Sequence, residues 1–226
     1  TQTWVGFMNV SELPAAGGAY LFGSPWGTGD LDAFFAAGPA NPLTLTPNTS
    51  ISRDVPISDP FWWQQAGCAS PGDGNKNMDA NMFVEADVLA GQTVTFAGVV
   101  LANTLVDPYT SVAFIKELDS GFALVGQVTA ALTPGAFSLS LGTTAGNHIQ
   151  YGFETIGPNA RNESGQAALL GNVQVTGCTP SISCPANITQ GNDAGQCSAV
   201  VSYSDPTVTC NTACGVVACA PISGST

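Results

Sequence analysis

Apolar and polar residues alternate along most of residues 1–176, which is the pattern of half-buried β-strands. The alternating stretches are rich in β-branched and aromatic residues, and Gly, Pro and Asn separate them as turn residues do. In chain order they are TWVGFMNVSE, AYLFG, LTLTP, NMFVEADV, QTVTFAGVVL, SVAFIKEL, FALVGQVTAAL, FSLSLGT, HIQYGFETIG and NVQVTG. A strand about every ten residues is typical of a sandwich or jelly roll, so the pattern predicts one all-β, jelly-roll-like domain over 1–176.

One short segment allows either a helix or a strand. In DLDAFFAAG at 30–38, Asp30 is a suitable helix N-cap and Gly38 would end the helix, but the apolar residues also alternate as in a strand. Two longer loops are predicted, at 47–80 and at 105–110. A loop as long as the first is commonly functional or held by a cross-link.

The chain changes character after residue 176. GCTPSISCP lacks apolar periodicity, which indicates a linker over 177–181, and the cysteine-rich pieces ISCPANIT, NDAGQCSAVVSYSDPTVTC and ACAPISGST follow it. In this order the three pieces resemble the hyalin repeat (HYR) module over 182–226. The resemblance implies an immunoglobulin-like β-module of secreted and cell-surface proteins, associated with adhesion. The family continues beyond SGST with a further strand, so we expect a partial module, and a neighbouring subunit could supply the missing strand.

The first domain resembles, more loosely, the jelly-roll carbohydrate-binding modules of secreted bacterial enzymes and adhesins. The stretches that carry this resemblance are MFVEADVLAGQTVTFAGVV, LTPGAFSLSL, HIQYGFETIG and GNVQVTG. It implies a polysaccharide ligand. That family closes with an acidic DDV segment at a structural calcium site, and GNV stands in its place here.

The charge balance excludes two classes of partner. Lys and Arg number 4 against 16 Asp and Glu, for a net charge of -12, whereas nucleic acids and anionic membranes require clustered basic residues. No apolar run approaches the roughly 20 residues of a membrane-spanning helix. A surface with so few charges allows another protein surface to approach closely, so copies of the same chain are expected partners.

Cysteine usage indicates an extracellular location. Of the 7 cysteines, all but Cys68 lie between Cys178 and Cys219, and such clustering favours disulfides formed in an oxidising compartment. Cys68 could pair with Cys178, although connectivity cannot be deduced from sequence. The disulfide candidates are Cys68, Cys178, Cys184, Cys197, Cys210, Cys214 and Cys219.

The segment DPFWW places three aromatic residues in the longer loop. Exposed Trp faces stack against sugar rings and also anchor subunit contacts, so the loop predicts a glycan or subunit contact site. In an extended segment, adjacent Trp side chains point to opposite sides, and one would then belong to the core. The alternative, which we favour slightly, is that every Trp packs in the core or under the loop. The candidate contact residues are Phe61, Trp62, Trp63, Gln64 and Trp26.

The segment DGNKNMD places oxygen-bearing side chains at every second position. Such side chains converge on Ca²⁺ when a loop curls around the ion. The stretch lacks the Gly and the bidentate Glu of an EF-hand, since Met78 and Val84 stand there, and a simple polar turn is the alternative interpretation. The candidate calcium ligands are Asp73, Asn75, Asn77 and Asp79.

Catalytic signals are weak. The single histidine, His148, lies in a predicted strand, where a structural role is the usual one, and no G-x-S-x-G motif occurs. Asp79 and Glu85 share one strand face but would be roughly 20 Å apart, too far for a glycosidase pair. We therefore expect no enzyme. The leading hypothesis is an extracellular structural and adhesion protein that self-assembles into a fibre or surface layer, and the alternative is a carbohydrate-binding module of a larger secreted protein.

Overall fold

The computed structural model describes residues 3–35, 42–68, 73–162, 166–176, 180–183, 190–202, 207–210 and 215–219. The strands are β1 (Val5–Glu12), β2 (Tyr20–Trp26), β3 (Ala33–Phe35), β4 (Leu43–Leu45), β5 (Lys76–Glu85), β6 (Thr93–Asn103), β7 (Thr110–Leu118), β8 (Leu124–Ala131), β9 (Gly135–Gly142), β10 (His148–Pro158), β11 (Val173–Thr176), β12 (Pro180–Ser183), β13 (Thr207–Cys210) and β14 (Gly215–Cys219). The helical segments are α1 (Ile51–Asp54), α2 (Gln166–Leu169) and two 3-10 turns, Pro14–Ala16 and Asp87–Leu89.

Two antiparallel sheets form a β-sandwich, so the predicted all-β fold is confirmed. Sheet A has the strand order β2-β1-β5-β10-β7-β8. Sheet B has the order β14-β6-β11-β4-β3. β14 and β11 pair with the two halves of one edge of β6, and β9 pairs with the opposite edge. Among the described residues, no helix has the length and apolarity that a membrane crossing requires.

The core lies between the sheets because alternate strand residues face inward. On β5, Met78, Ala80 and Met82 are buried in this core, while Asp79 and Asn81 face the opposite side of sheet A. Phe96 of β6 is fully buried, and its ring centroid lies 5.2 Å from that of Tyr151 and 5.3 Å from that of Phe153. These contacts join the two sheets across the core.

Two sequence predictions are refined by the strand bounds. The ambiguous segment at 30–38 forms the strand Ala33–Phe35, so its strand interpretation is the right one over those residues. The predicted loop 47–80 is wrong at both of its ends, because α1 interrupts its start and β5 already begins at Lys76. The polar residues from 77 to 81 resemble a turn in sequence, but they alternate with buried residues on an extended strand.

The C-terminal segment contributes strands that are described only in part. β12 pairs with β13 in a separate two-stranded sheet. β14, which the sequence assigns to the HYR-like module, pairs antiparallel with β6 of the sandwich, Val217 opposite Thr95. The division into 1–176, 177–181 and 182–226 and the immunoglobulin-like character of the last part stay predictions.

Both lysines are held in ion pairs on sheet A. Lys76 Nζ lies 2.9 Å from Glu12 Oε2, with only 5% of the lysine side chain exposed. Lys116 Nζ lies 3.1 Å from Glu154 Oε2, and both side chains are largely buried. These pairs leave the acidic residues to dominate the charge of the surface.

Candidate functional site

The aromatic residues of the DPFWW loop are divided between core and surface. Trp63 is 1% exposed and belongs to the core, whereas Phe61 is 40% exposed. Trp62 is half-buried, and its ring lies edge-on to those of Phe61 (4.8 Å between centroids) and of Phe22 on β2 (6.3 Å). Lys76 Nζ covers the Phe61 ring at 4.6 Å from its centroid. Trp63 thus belongs to the core, while Trp4, Trp26 and Trp62 are partly buried and pack against it, so the four Trp side chains lie in or against the core.

The other predicted contact residues are engaged within the fold. Trp26 is partly buried against the core, and its indole Nε1 donates a hydrogen bond to Ser24 Oγ at 2.8 Å. Gln64 Nε2 donates to the carbonyl oxygen of Gly74 at 3.3 Å. Trp26 therefore lies apart from the loop cluster, while Gln64 helps to close the loop.

Asn159 fixes this loop to sheet A. Its side chain is buried, with Nδ2 donating to the Trp62 carbonyl at 3.0 Å and Oδ1 accepting from the Lys76 amide at 3.0 Å. A Cβ atom on Gly74 would lie 1.9 Å from the Asn159 carbonyl oxygen, so only glycine fits at this position of the loop. Sequence reasoning missed Asn159, and its only signal is the turn-like GPNA that follows β10.

A cavity of about 400 Å³ opens where the two predicted loops meet. Its walls are formed by residues 64, 73 and 74 of the first loop, by residues 107–109 and by residues 158–161, with apolar contributions from the α2 region. Carboxylates, amides, a guanidinium and a phenol together make a lining suited to hydrogen-bonding hydroxyl groups. The polar lining residues are Gln64, Asp73, Asp107, Tyr109, Asn159 and Arg161.

Tyr109 stays a neutral hydrogen-bonding group in this cavity. Burial, followed by the nearby negative charge of Asp73, raises the pKa of the Tyr109 phenol to about 12. Its ring also packs against the backbone of β10, where a Cβ atom on Gly157 would lie 2.1 Å from a ring carbon. The phenol therefore has a fixed position and a protonated hydroxyl.

The four predicted calcium ligands do not all lie on one curled loop. Asn77 and Asp79 lie on extended β5, where alternate residues are separated by about 7 Å. Asn75 Nδ2 donates to the Phe61 carbonyl at 3.3 Å, and Asp73 borders the cavity. Asn77 and Asp79 thus lie on an extended strand rather than in a curled loop, and the calcium site stays a prediction.

A row of polar side chains crosses the outer face of sheet A. Asn9 Nδ2 donates to Asp79 Oδ2 at 3.2 Å, and Asn81 Nδ2 donates to Asp79 Oδ1 at 2.7 Å. Lys116 Nζ then donates to Asn81 Oδ1 at 2.7 Å and to Glu154 Oε2 at 3.1 Å. We call these five residues the polar row. They belong to β1, β5, β7 and β10, so the row links neighbouring strands.

Asp79 is the most perturbed carboxyl group of the polar row. Burial, followed by the negative charge of Glu154, raises the pKa of Asp79 to about 6, against the opposing effects of Lys116, Asn9 and Asn81. Sequence reasoning compared Asp79 with Glu85 on the same strand and missed Glu154, which comes from the adjacent strand β10. The row is a hydrogen-bonded network with a carboxyl group that titrates near neutral pH.

The cysteines are only partly within the described residues. Cys68 and Cys197 are exposed, and neither forms a disulfide there. The Cys68–Cys178 bond and the other pairings stay predictions. Cys210 and Cys219 lie on β13 and β14, whose side chains are not described, and the cysteines outside the described residues are Cys178, Cys184 and Cys214.

Both edges of sheet A are uncharged and apolar. The edge strands have the sequences YLFGSPW (β2) and LVGQVTAA (β8), with no Asp, Glu, Lys or Arg. Among the described residues, β2 pairs only with β1, and β8 only with β7. Large apolar side chains on these edges are exposed, namely Tyr20, Leu21, Phe22, Leu124 and Val125.

Comparison with known proteins adds no relative. No protein-family model matches this chain. No curated protein and no solved structure matches it either.

Proposed function

We propose that this chain is a non-catalytic, extracellular structural and adhesion protein whose β-sandwich associates with copies of itself through the edges of sheet A. The observation that carries the proposal is the pair of uncharged edge strands, β2 and β8, with exposed Leu21 and Val125. Monomeric β-proteins usually protect such edges with charges, prolines, bulges or covering segments, because an open edge pairs with other strands. Pro25 lies in β2, and each edge pairing has one register shift, but neither edge strand has a charged residue.

The charge distribution favours contact at these edges. With a net charge of -12, copies of the chain repel one another over most of their surface. Neither β2 nor β8 carries a charge, so contact there avoids desolvating any carboxylate of the strands themselves. Association is therefore most favourable where the apolar edge residues lie.

The two edges also suit an open assembly. β2 and β8 lie at opposite ends of the same sheet, so pairing β2 of one copy with β8 of the next leaves one free edge at each end. A contact of this head-to-tail kind repeats without closing unless the rotation between copies forms a ring. Filaments or layers are the expected products.

Light scattering and negative-stain electron microscopy of the purified chain test this proposal. We expect concentration-dependent association into regular filaments or layers. Leu21→Lys or Val125→Lys should abolish it, since a lysine on an edge strand opposes strand pairing. Val88→Lys is the matched control, because Val88 is 85% exposed and lies on a 3-10 turn that belongs to neither edge strand. A monodisperse monomer at all concentrations, or equal effects of the three substitutions, would refute assembly through these edges.

The cavity between the loops favours a second candidate, carbohydrate binding. Its wall combines the neutral phenol of Tyr109 with Asp73 and Asp107, groups that donate to and accept from sugar hydroxyls. A glycan array followed by calorimetry tests this candidate. Binding that Asp107→Asn weakens and Asp54→Asn, on α1 outside the cavity, leaves unchanged would support it. Absence of any glycan ligand, or equal effects of the two substitutions, would count against it.

A further inference from the structure

His148 lies beside two carboxylates at one end of sheet A. His148 begins β10, Glu85 ends β5, and Asp87 begins the following 3-10 turn. His148 Nδ1 is 2.8 Å from Asp87 Oδ2 and 3.9 Å from Glu85 Oε1. One ligand atom from each residue lies within 4.8 Å of the other two. The same imidazole nitrogen thus faces both carboxylates.

The imidazole and one carboxylate are held in place by further contacts. The Phe122 ring stacks on the His148 ring, with 4.1 Å between centroids and 10° between planes. Asp87 Oδ1 accepts the backbone N–H of Ile149 at 3.2 Å, which leaves Oδ2 for the imidazole. Glu85 is exposed, so its side chain can adjust without disturbing the core.

We propose that Glu85, Asp87 and His148 bind a divalent transition-metal ion, for which Zn²⁺ is the test ligand. Around Zn²⁺, bonds of about 2.1 Å place neighbouring ligand atoms about 3.0 to 3.4 Å apart. The separations of 2.8 Å and 3.9 Å from His148 Nδ1 bracket that range. A small movement of the exposed Glu85 side chain therefore completes a three-ligand site. This inference is independent of the proposed assembly.

The donor set selects the class of metal. Imidazole nitrogen together with carboxylate oxygen suits Zn²⁺ and related transition ions, whereas Ca²⁺ and Mg²⁺ prefer all-oxygen sites. Two carboxylates neutralise the charge of a divalent ion.

The single histidine of the chain makes the test direct. In tag-free protein with thiols alkylated by iodoacetamide, Zn²⁺ is titrated while ¹⁵N NMR follows the two imidazole nitrogens. We expect saturable one-to-one binding, a shift at Nδ1 rather than Nε2, and little response to Mg²⁺. Glu85→Gln and Asp87→Asn should each weaken Zn²⁺ binding at least about tenfold.

Asp54→Asn is the matched control, since Asp54 is an exposed carboxylate elsewhere on the surface, and it should leave Zn²⁺ affinity unchanged. The Glu85→Gln variant changes an exposed side chain, so it should keep the fold and report on metal binding alone. Binding through Nε2, or an affinity insensitive to Glu85→Gln, would overturn the proposal. Absence of an Nδ1 shift at millimolar Zn²⁺ would also overturn it and identify the cluster as an imidazole–carboxylate hydrogen-bonded group only.

Discussion

Replacing Asp79 with asparagine should make the sandwich more stable at neutral pH and less sensitive to pH. In the polar row the Asp79 carboxyl accepts hydrogen bonds from Asn9 and Asn81. Burial and the charge of Glu154 raise its pKa to about 6. Asparagine keeps the shape and carries no charge, but its amide nitrogen stands in place of one of the two accepting oxygens. Asp79→Asn therefore removes the unfavourable ionisation together with one of the two hydrogen bonds.

The sign and the size of the effect follow from the pKa. A carboxyl with a folded-state pKa above its ordinary value of 3.8 stabilises the fold when protonated, so that contribution is complete below pH 3.8 and lost as pH rises through about 6. Each tenfold change in proton affinity corresponds to about 1.4 kcal/mol, so the rise from 3.8 to about 6 corresponds to about 3 kcal/mol at most. Above that range Asp79→Asn should exceed the natural chain in stability by up to this amount.

Urea unfolding followed by Trp fluorescence, at about pH 4 and about pH 8, measures the difference. We expect the free energy of unfolding of Asp79→Asn, taken relative to the natural chain, to be higher at the higher pH than at the lower one, where the lost hydrogen bond costs about 1 kcal/mol. Asp54→Asn removes the same charge at an exposed position and should give a small difference at both pH values. If the difference for Asp79→Asn is the same at both pH values, the assigned ionisation of Asp79 is wrong.

Further substitutions test the packing by chemical unfolding. Trp63→Ala should destabilise the fold by about 3 to 5 kcal/mol, because it removes a large buried side chain. Trp63→Phe should cost clearly less, because no acceptor among the described residues pairs with the buried indole Nε1. Equal losses for the two variants would contradict this. Gly157→Ala should cost about 1 to 3 kcal/mol through its clash with the Tyr109 ring, while Gly142→Ala, with nothing within 4 Å, should be near neutral. Lys116→Met should cost about 3 kcal/mol by leaving a largely buried carboxylate unpaired, and a loss below about 0.5 kcal/mol would show that the ion pair is dispensable.

The strands of the sandwich could be predicted because alternation is a local property. HIQYGFETIG and SVAFIKEL place every second residue against the core, and the structure has β10 and β7 at those positions. The start of β5 was missed because the outward residues from 77 to 81 are Asn and Asp, which also favour turns. Asp79 and Asn81 form the polar row with side chains of β1, β7 and β10, and these partners are known only once the strand order is known.

The sites could be predicted only where their residues are neighbours in sequence. The aromatic loop was found because Phe61, Trp62 and Trp63 are consecutive. The cavity joins loops that are distant in the chain, and the proposed zinc site joins Glu85 and His148 from two paired strands. No sequence periodicity reports such contacts, since they follow from strand order and register.

The pairing of the two lysines within sheet A has a consequence for degradation. Trypsin-like proteases cut after lysine and arginine, and they require an accessible, extended backbone at that point. Lys76 and Lys116 lie inside β-strands with their ammonium groups in ion pairs, and the chain has 4 basic residues in all. The native sandwich therefore has very few accessible cleavage sites for such proteases. This resistance does not require a disulfide in the first half of the chain.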